Sequence, residues 1–171
     1  MAIPSLVLIS GPEQLLADRA LRSTVDLVRE TEPDAETIRV DAAAYEPGEL
    51  MLHTSPSLFG GVKIVVVRDL DEGGDALVDE VATLAKSPVD QAVLIVMHKG
   101  GNRGKRALDA LKQGGARVID APSIKSDRDK ASFVTNEFRS ARRKVSPDAV
   151  QALLDAVGKD LGELAAACAQ L

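Results

Sequence analysis

The chain is short of aromatic side chains: its 171 residues include one tyrosine, three phenylalanines and no tryptophan. A phenylalanine in a surface turn is therefore a scarce feature. Cysteine is scarcer still. Cys168 stands alone, which excludes an internal disulfide and any cysteine cluster for zinc, and suits a reducing compartment. No apolar run approaches the roughly 20 residues that a membrane span needs, and the N-terminus shows no basic leader, apolar stretch and small-residue cleavage site. The chain reads as cytoplasmic, with no membrane partner. Nor is there an excess of positive charge. The formal net charge is −5, so any contact with nucleic acid has to be local. What remains is 45% apolar and 27% charged, the balance of a globular chain with a sizeable core in one domain or one and a half.

Leu6 to Ile9 is a short unbroken apolar run, as expected of a strand covered on both faces of a parallel sheet. A helix follows, with Ser10 and Glu13 at capping-box spacing, Pro12 compatible with a first turn, and Ala17, Ala20, Leu21, Val25 and Val28 at helical intervals. Pro33-Asp34 breaks it. Thr37 to Val40 predicts a second strand ending at Asp41, and Glu46 to His53 a short helix. Val62 to Val67, almost purely β-branched, predicts a third strand, central in the sheet. A helix over Asp75 to Lys86, a buried strand over Ala92 to Met97, a helix near Lys105 to Gln113 and a last strand over Arg117 to Ile119 complete the alternation. Five strands alternating with helices predict an α/β domain with a mainly parallel sheet.

Past Ala121-Pro122 only helical patterns follow, which places a boundary between about Pro122 and Asp129 and divides the chain near residues 124 and 125. Ala131, Val134, Phe138 and Ala141 form one apolar stripe. Ser146 with Pro147 starts a second helix carrying Val150, Leu153, Leu154 and Val157, stopped by Gly158. Asp160 and Glu163 have capping spacing for a third, bearing Leu161, Leu164, Ala165 and Cys168. The chain ends inside that pattern, as a truncated chain would.

No catalytic constellation emerges. The loop after the first strand reads Ser10-Gly11-Pro12-Glu13-Gln14-Leu15-Leu16, where a phosphate loop needs a second glycine, a lysine and a magnesium-binding hydroxyl; Leu16, Ala17 and Asp18 stand there instead, and Glu13 would repel phosphate. No dinucleotide fingerprint follows Gly11 either. Asp69, Asp71 and Glu72 lie where a P-loop enzyme keeps its magnesium acid, yet also suit a solvated acidic turn. Lys99, Arg103, Lys105 and Arg106 cluster in a glycine-rich loop and could meet phosphates. Arg139, Arg142, Arg143 and Lys144 cluster at a helix end, where cations also complement the helix dipole. His53 and His98 have no companion acid or ligand at motif spacing, and no Ser or Cys sits on a nucleophile elbow.

The most unusual stretch is Thr54-Ser55-Pro56-Ser57-Leu58-Phe59-Gly60-Gly61, which puts two large apolar side chains in a corner bracketed by proline and glycines. Pattern alone leaves two readings open. Leu58 and Phe59 either fold inward as a plug or face outward as a partner anchor.

A P-loop-like layout without the lysine, a small helical lid and a Ser-Leu-Phe corner before the third strand together resemble the delta subunit of the bacterial DNA polymerase III clamp loader, and the resemblance runs over essentially the whole chain. It implies a degenerate AAA+-type, P-loop NTPase-like domain over residues 1–124 and a helical lid over residues 125–171, with the collar domain missing. It implies that Leu58 and Phe59, with Ser57, insert into a pocket of the beta sliding clamp and help to open it. The further partners implied are the tau/gamma and delta-prime subunits and, in the full assembly, primed DNA. It implies no bound cofactor and no intrinsic catalysis, the chain acting as a subunit of a DNA-directed DNA polymerase. Two readings from other classes stand beside it: an ATP-binding P-loop enzyme with an unusual loop, and a stand-alone nucleic-acid-binding module working through Lys99 to Arg106.

Overall fold

Aliphatic and β-branched runs pair into one five-stranded sheet in the computed structural model, which describes residues 4–56, 60–158 and 160–171. The elements of the first unit are β1 (Leu6–Ser10), α1 (Gln14–Thr31), β2 (Glu36–Asp41), α2 (Glu49–Thr54), β3 (Lys63–Arg68), one turn of 3-10 helix (Leu70–Glu72), α3 (Asp75–Lys86), β4 (Ala92–His98), α4 (Lys105–Gln113) and β5 (Arg117–Asp120). The strand order is β2-β3-β4-β1-β5 and every pairing is parallel. An all-parallel sheet has to be covered on both faces. On one face Leu8, Val65, Val67, Leu94 and Val96 pack with Leu50 of α2, Leu77, Val81 and Leu84 of α3 and Leu111 of α4. On the other, Val7, Ile9, Ile64, Val66 and Ile95 meet Ala17, Leu21 and Val28 of α1. Each large aliphatic side chain buried this way contributes about 1.5–3 kcal/mol before the entropy of ordering it.

Three local expectations are corrected. The central strand is β4, buried along its whole length, whereas β3 lies second from the edge. Helix α1 starts at Gln14, with Glu13 as its N-cap residue and no side-chain cap, so Ser10 and Glu13 form no capping box. Ser10 stays in the sheet, paired with His98 and Asp120. Gly11 then turns with φ +143°, and a Cβ there would lie 2.0 Å from the carbonyl oxygen of Ala121, so the chain cannot begin helix until it has cleared β5. Helix α2 starts at Glu49 rather than Glu46, because Gly48 before it is left-handed (φ +92°).

Residues Ser123–Leu171 form a second compact unit, the first ending at Pro122. It consists of α5 (Asp127–Ser140), α6 (Pro147–Val157) and α7 (Leu161–Gln170), with no strand among its described residues. All three helices carry a side-chain cap: Ser126 Oγ accepts from Asp129 N–H at 3.1 Å, Ser146 Oγ from Ala149 N–H at 3.2 Å, and Asp160 Oδ1 from Glu163 N–H at 2.9 Å. Such a cap contributes about 1 kcal/mol. Phe133, Val134, Phe138, Val150, Leu161, Leu164, Ala165 and Cys168 are buried. In the first of these helices Phe133 joins the expected stripe, while Ala131 is half-buried and Ala141 lies exposed just past the helix end. Among the described residues, no helix is long and apolar enough to cross a membrane.

Candidate partner-binding corner and the loops at the strand ends

Ser57, Leu58 and Phe59 lie outside the described residues; α2 and Ser55-Pro56 lead into them, and Gly60-Gly61 and β3 follow. The end of α2 is closed by its own side chains. Thr54 Oγ1 donates to the Leu50 carbonyl at 2.9 Å, Ser55 Oγ to the Met51 carbonyl at 2.7 Å, and Ser55 N–H to the Leu52 carbonyl at 3.2 Å. Ser55 itself is extended (φ −61°, ψ 144°), as a residue before proline should be. On the far side Gly60 and Gly61 are both left-handed (φ +76° and +91°). Lys63 Nζ then donates to the Ser55 carbonyl at 2.9 Å, tying the start of β3 to the end of α2. Met51 and Leu52 on α2 are exposed, Leu52 by 70%.

Behind α2 sits a polar node. The Tyr45 hydroxyl donates to Glu80 Oε2 of α3 at 2.5 Å and accepts from Leu50 N–H at 3.0 Å, while Gly48 N–H donates to Glu80 Oε1 at 2.5 Å. Burial, and then the hydrogen bond to Glu80, push the phenol well above its usual range. The node supplies two amides at the start of α2 with acceptors that no side-chain cap provides. Sequence reading missed it, since Tyr45 and Glu80 are 35 positions apart.

After β1, the amides that a phosphate loop would aim at its ligand are engaged by the protein. Gly11 N–H donates to the His98 carbonyl at 2.9 Å and Glu13 N–H to the Ala121 carbonyl at 3.1 Å. Arg68 Nη2 bridges to Asp18 Oδ1 at 2.5 Å beside them. The cavity bounded by Gly11, Pro12, Gln14, Arg68 and Lys99 measures about 20 Å³, room for about one water.

The acidic turn after β3 and Lys99, at the start of the basic loop after β4, come together as an ion-paired cluster. Lys99 Nζ reaches Glu72 Oε1 at 2.9 Å and Asp69 Oδ1 at 3.1 Å, and Lys99 N–H donates to Asp71 Oδ1 at 3.1 Å. Hydrogen bonds to Glu72 and Asp69 raise the Lys99 ammonium above its usual range. His98 shapes the same loop from inside: Gly100 N–H donates to its Nδ1 at 2.9 Å, which leaves Nε2 to carry the proton donated to the Arg103 carbonyl at 2.8 Å. Arg106 is paired with Asp79. Arg103 and Lys105 have no ion-pair partner among the described residues. They border a cavity of about 750 Å³ between the N-terminal ends of α3 and α4, neither of which has a side-chain cap.

His53, expected to stand alone, lies 3.5 Å from Glu49 one turn earlier on α2, which is a correction. Arg139 donates to Asn136 Oδ1 at 3.2 Å, and Arg142, Arg143 and Lys144 are exposed just past the end of α5. No group of three or more His, Cys, Asp or Glu side chains among the described residues could hold a metal ion.

No family model and no curated protein matches the sequence. Solved structures do. The chain is similar to the Bacillus subtilis DNA clamp loader delta protein YqeN, with a TM-score of 0.73 and 16% identity, over 98% of this chain and 52% of that one. It is also similar to the Thermotoga maritima RuvB Holliday junction branch migration motor, with a TM-score of 0.53 and 8% identity, over 98% of this chain and 54% of that one. The P216G mutant of that RuvB matches at 0.53 and 10% identity, over 95% and 53%. The chain thus spans about half the length of each of these structures. What they share with it is the fold, a parallel α/β sheet covered by helices, as the sequence reading expected.

Proposed function

We propose that this chain is the N-terminal part of a clamp-loader delta-type subunit, which binds and helps to open a beta sliding clamp and performs no ATP chemistry of its own. The observation that carries the reading is the likeness to a clamp loader delta protein along 98% of the chain. In this reading residues 1–124 are a degenerate AAA+-like domain and residues 125–171 its lid. The tau/gamma and delta-prime subunits are the partners in the assembly, in the cytoplasm, and primed DNA is its substrate. The engaged amides of Gly11 and Glu13 support a mechanical rather than a nucleotide-hydrolysing role, because a triphosphate would have to break both hydrogen bonds to be held there.

Leu58 and Phe59 are the anchors, with Ser57 beside them. Burying an aromatic and a branched aliphatic in an apolar pocket would provide about 1.5–3 kcal/mol each. The flanks are suited to present them: Ser55 ties the end of α2 and the Lys63 clip holds the start of β3 to it, so the two segments that bracket the pair are already joined before docking. The experiment is paired. Phe59→Ala should weaken binding to a bacterial beta clamp, measured by surface plasmon resonance, by about 2 kcal/mol or more, and leave thermal unfolding nearly unchanged. A variant that binds at parental strength removes the anchor assignment; one that melts far below the parent favours the core-plug reading.

A contact with DNA by this chain is best placed at Arg103 and Lys105, the cations of the glycine-rich loop that have no ion-pair partner among the described residues. Steeply salt-dependent binding of DNA by this chain alone, with no clamp binding, would favour the stand-alone nucleic-acid module instead.

A further inference from the structure

The two faces of the sheet are dressed unequally. One is covered by α2, α3 and α4, while α1 is the helix packed on the other, and the sheet beside it toward β2 is open. There, a groove of about 360 Å³ runs between α1 and strands β2 and β3. Its floor is Val25, half-buried, with Leu21 and Val66 buried in the core directly beneath. Its register follows from the pairing: Arg39 lies beside Val66, and Val66 packs on the α1 side, so Thr37, Arg39 and Arg68 share that face. Helix α1 contributes Arg22 and Arg29, one and three turns beyond Asp18 on the same stripe.

The two ends of the groove are bolted. Arg68 is held by Asp18 at 2.5 Å, and Arg29 Nη2 donates to Thr37 Oγ1 at 3.1 Å. Between them Arg22 and Arg39, one on the helix and one on the edge strand, are exposed and have no ion pair among the described residues. In a chain of net charge −5, four guanidinium groups around one apolar floor form a local reversal of sign. Guanidinium presents a planar fork that pairs with carboxylate in two parallel hydrogen bonds.

We propose that this groove docks a segment of a protein partner in which acidic and aliphatic residues are interspersed, an aliphatic side chain lying on Val25 at the floor and the carboxylates meeting Arg22 and Arg39. Three observations favour a peptide over a nucleic-acid backbone. The apolar floor gains nothing from phosphates. Asp26 lines the same groove and would repel a chain with a charge on every unit. No aromatic side chain lines it, so bases have nothing to stack on. Strand β2 also ends the sheet, so its outer edge offers main-chain groups to an extended segment alongside.

The test uses the 171-residue chain and three probes: a fluorescein-labelled peptide of alternating Asp and Leu, the same peptide with Ser for Leu, and labelled oligothymidylate. Binding is read by anisotropy and by the methyl resonances of Leu21, Val25 and Val66. The Asp-Leu peptide should move those methyls, bind more tightly than the other two probes, and lose on the order of tenfold in affinity with Arg39→Glu or with Arg22→Glu. The two variants lie on different elements, so a folding defect in one leaves the other to decide. Three results would overturn the proposal: unmoved methyls at millimolar Asp-Leu peptide, equal binding by both folded variants, or tighter binding of oligothymidylate in this groove.

Discussion

The hydroxyl of Tyr45 lies 2.5 Å from Glu80 Oε2 and 3.0 Å from the amide of Leu50, so one phenol joins α2 to α3. Tyr45→Phe removes the donor to Glu80 and the acceptor for Leu50 N–H while keeping the ring. It should cost about 1–3 kcal/mol in urea unfolding, because the groups left behind are partly desolvated. If the clamp-binding reading holds, it should also weaken clamp binding while Leu58 and Phe59 stay intact.

The same phenol gives the fold a pH dependence. The folded chain holds Tyr45 protonated above the ordinary value of 10.0, so above that pH the native state binds more protons than the unfolded one. Stability from this group is fully present below pH 10 and is lost as pH rises through the native value. Tyr45 is the only tyrosine and there is no tryptophan, so phenolate absorbance reports this residue alone. It should titrate late and together with unfolding, and Tyr45→Phe should melt with a shallower alkaline decline.

Gly11→Ala should be among the most damaging single changes. The added Cβ would lie 2.0 Å from the Ala121 carbonyl oxygen, at a φ that side chains rarely adopt. A loss of at least ~3 kcal/mol, or failure to fold, is expected in thermal or urea unfolding.

Calorimetry with ATP and magnesium should show no binding in the micromolar range. The two amides that would cradle phosphate donate to His98 and Ala121, and the space beside them holds about one water. Micromolar binding would refute the assignment of this loop, whatever its effect on clamp binding.

Lys63→Met removes the hydrogen bond to the Ser55 carbonyl and keeps the length of the side chain. It should raise the rate of amide exchange around Ser55 and Gly61 with little change in global stability. A clamp affinity lowered severalfold, with the melting temperature held, would place the effect in presentation of the corner.

What was legible in the sequence was what depends on neighbours a few positions away. The bounds of α3 and α4 coincide with the periodic runs Asp75–Lys86 and Lys105–Gln113, and the caps at Ser146 and Asp160 are those the spacing announced. The five strands and their alternation with helices were legible for the same reason. What failed was long-range. Ser10 and Glu13 have capping spacing, yet Gly11 must pass beneath Ala121, which is 110 positions later, and no local pattern records that. Two apolar runs, β3 and β4, look alike until strand order decides which of them lies at the centre of the sheet. Lys99 and the acids of the 69–72 turn were read as separate clusters with separate chemistry, and their ion pairing is visible only once the two strand ends are adjacent.

The scarcity of aromatic and thiol groups leaves one natural reporter in each half of the molecule. Tyr45 belongs to the first unit, and Cys168, the sole thiol, is buried in the second. Release of the thiol to a disulfide reagent follows opening of α7, while exposure of the phenol follows release of α2 from α3. Unfolding of the unaltered chain can therefore be followed at two addresses at once, and coincidence or separation of the two signals measures directly whether the units melt as one cooperative body or as two.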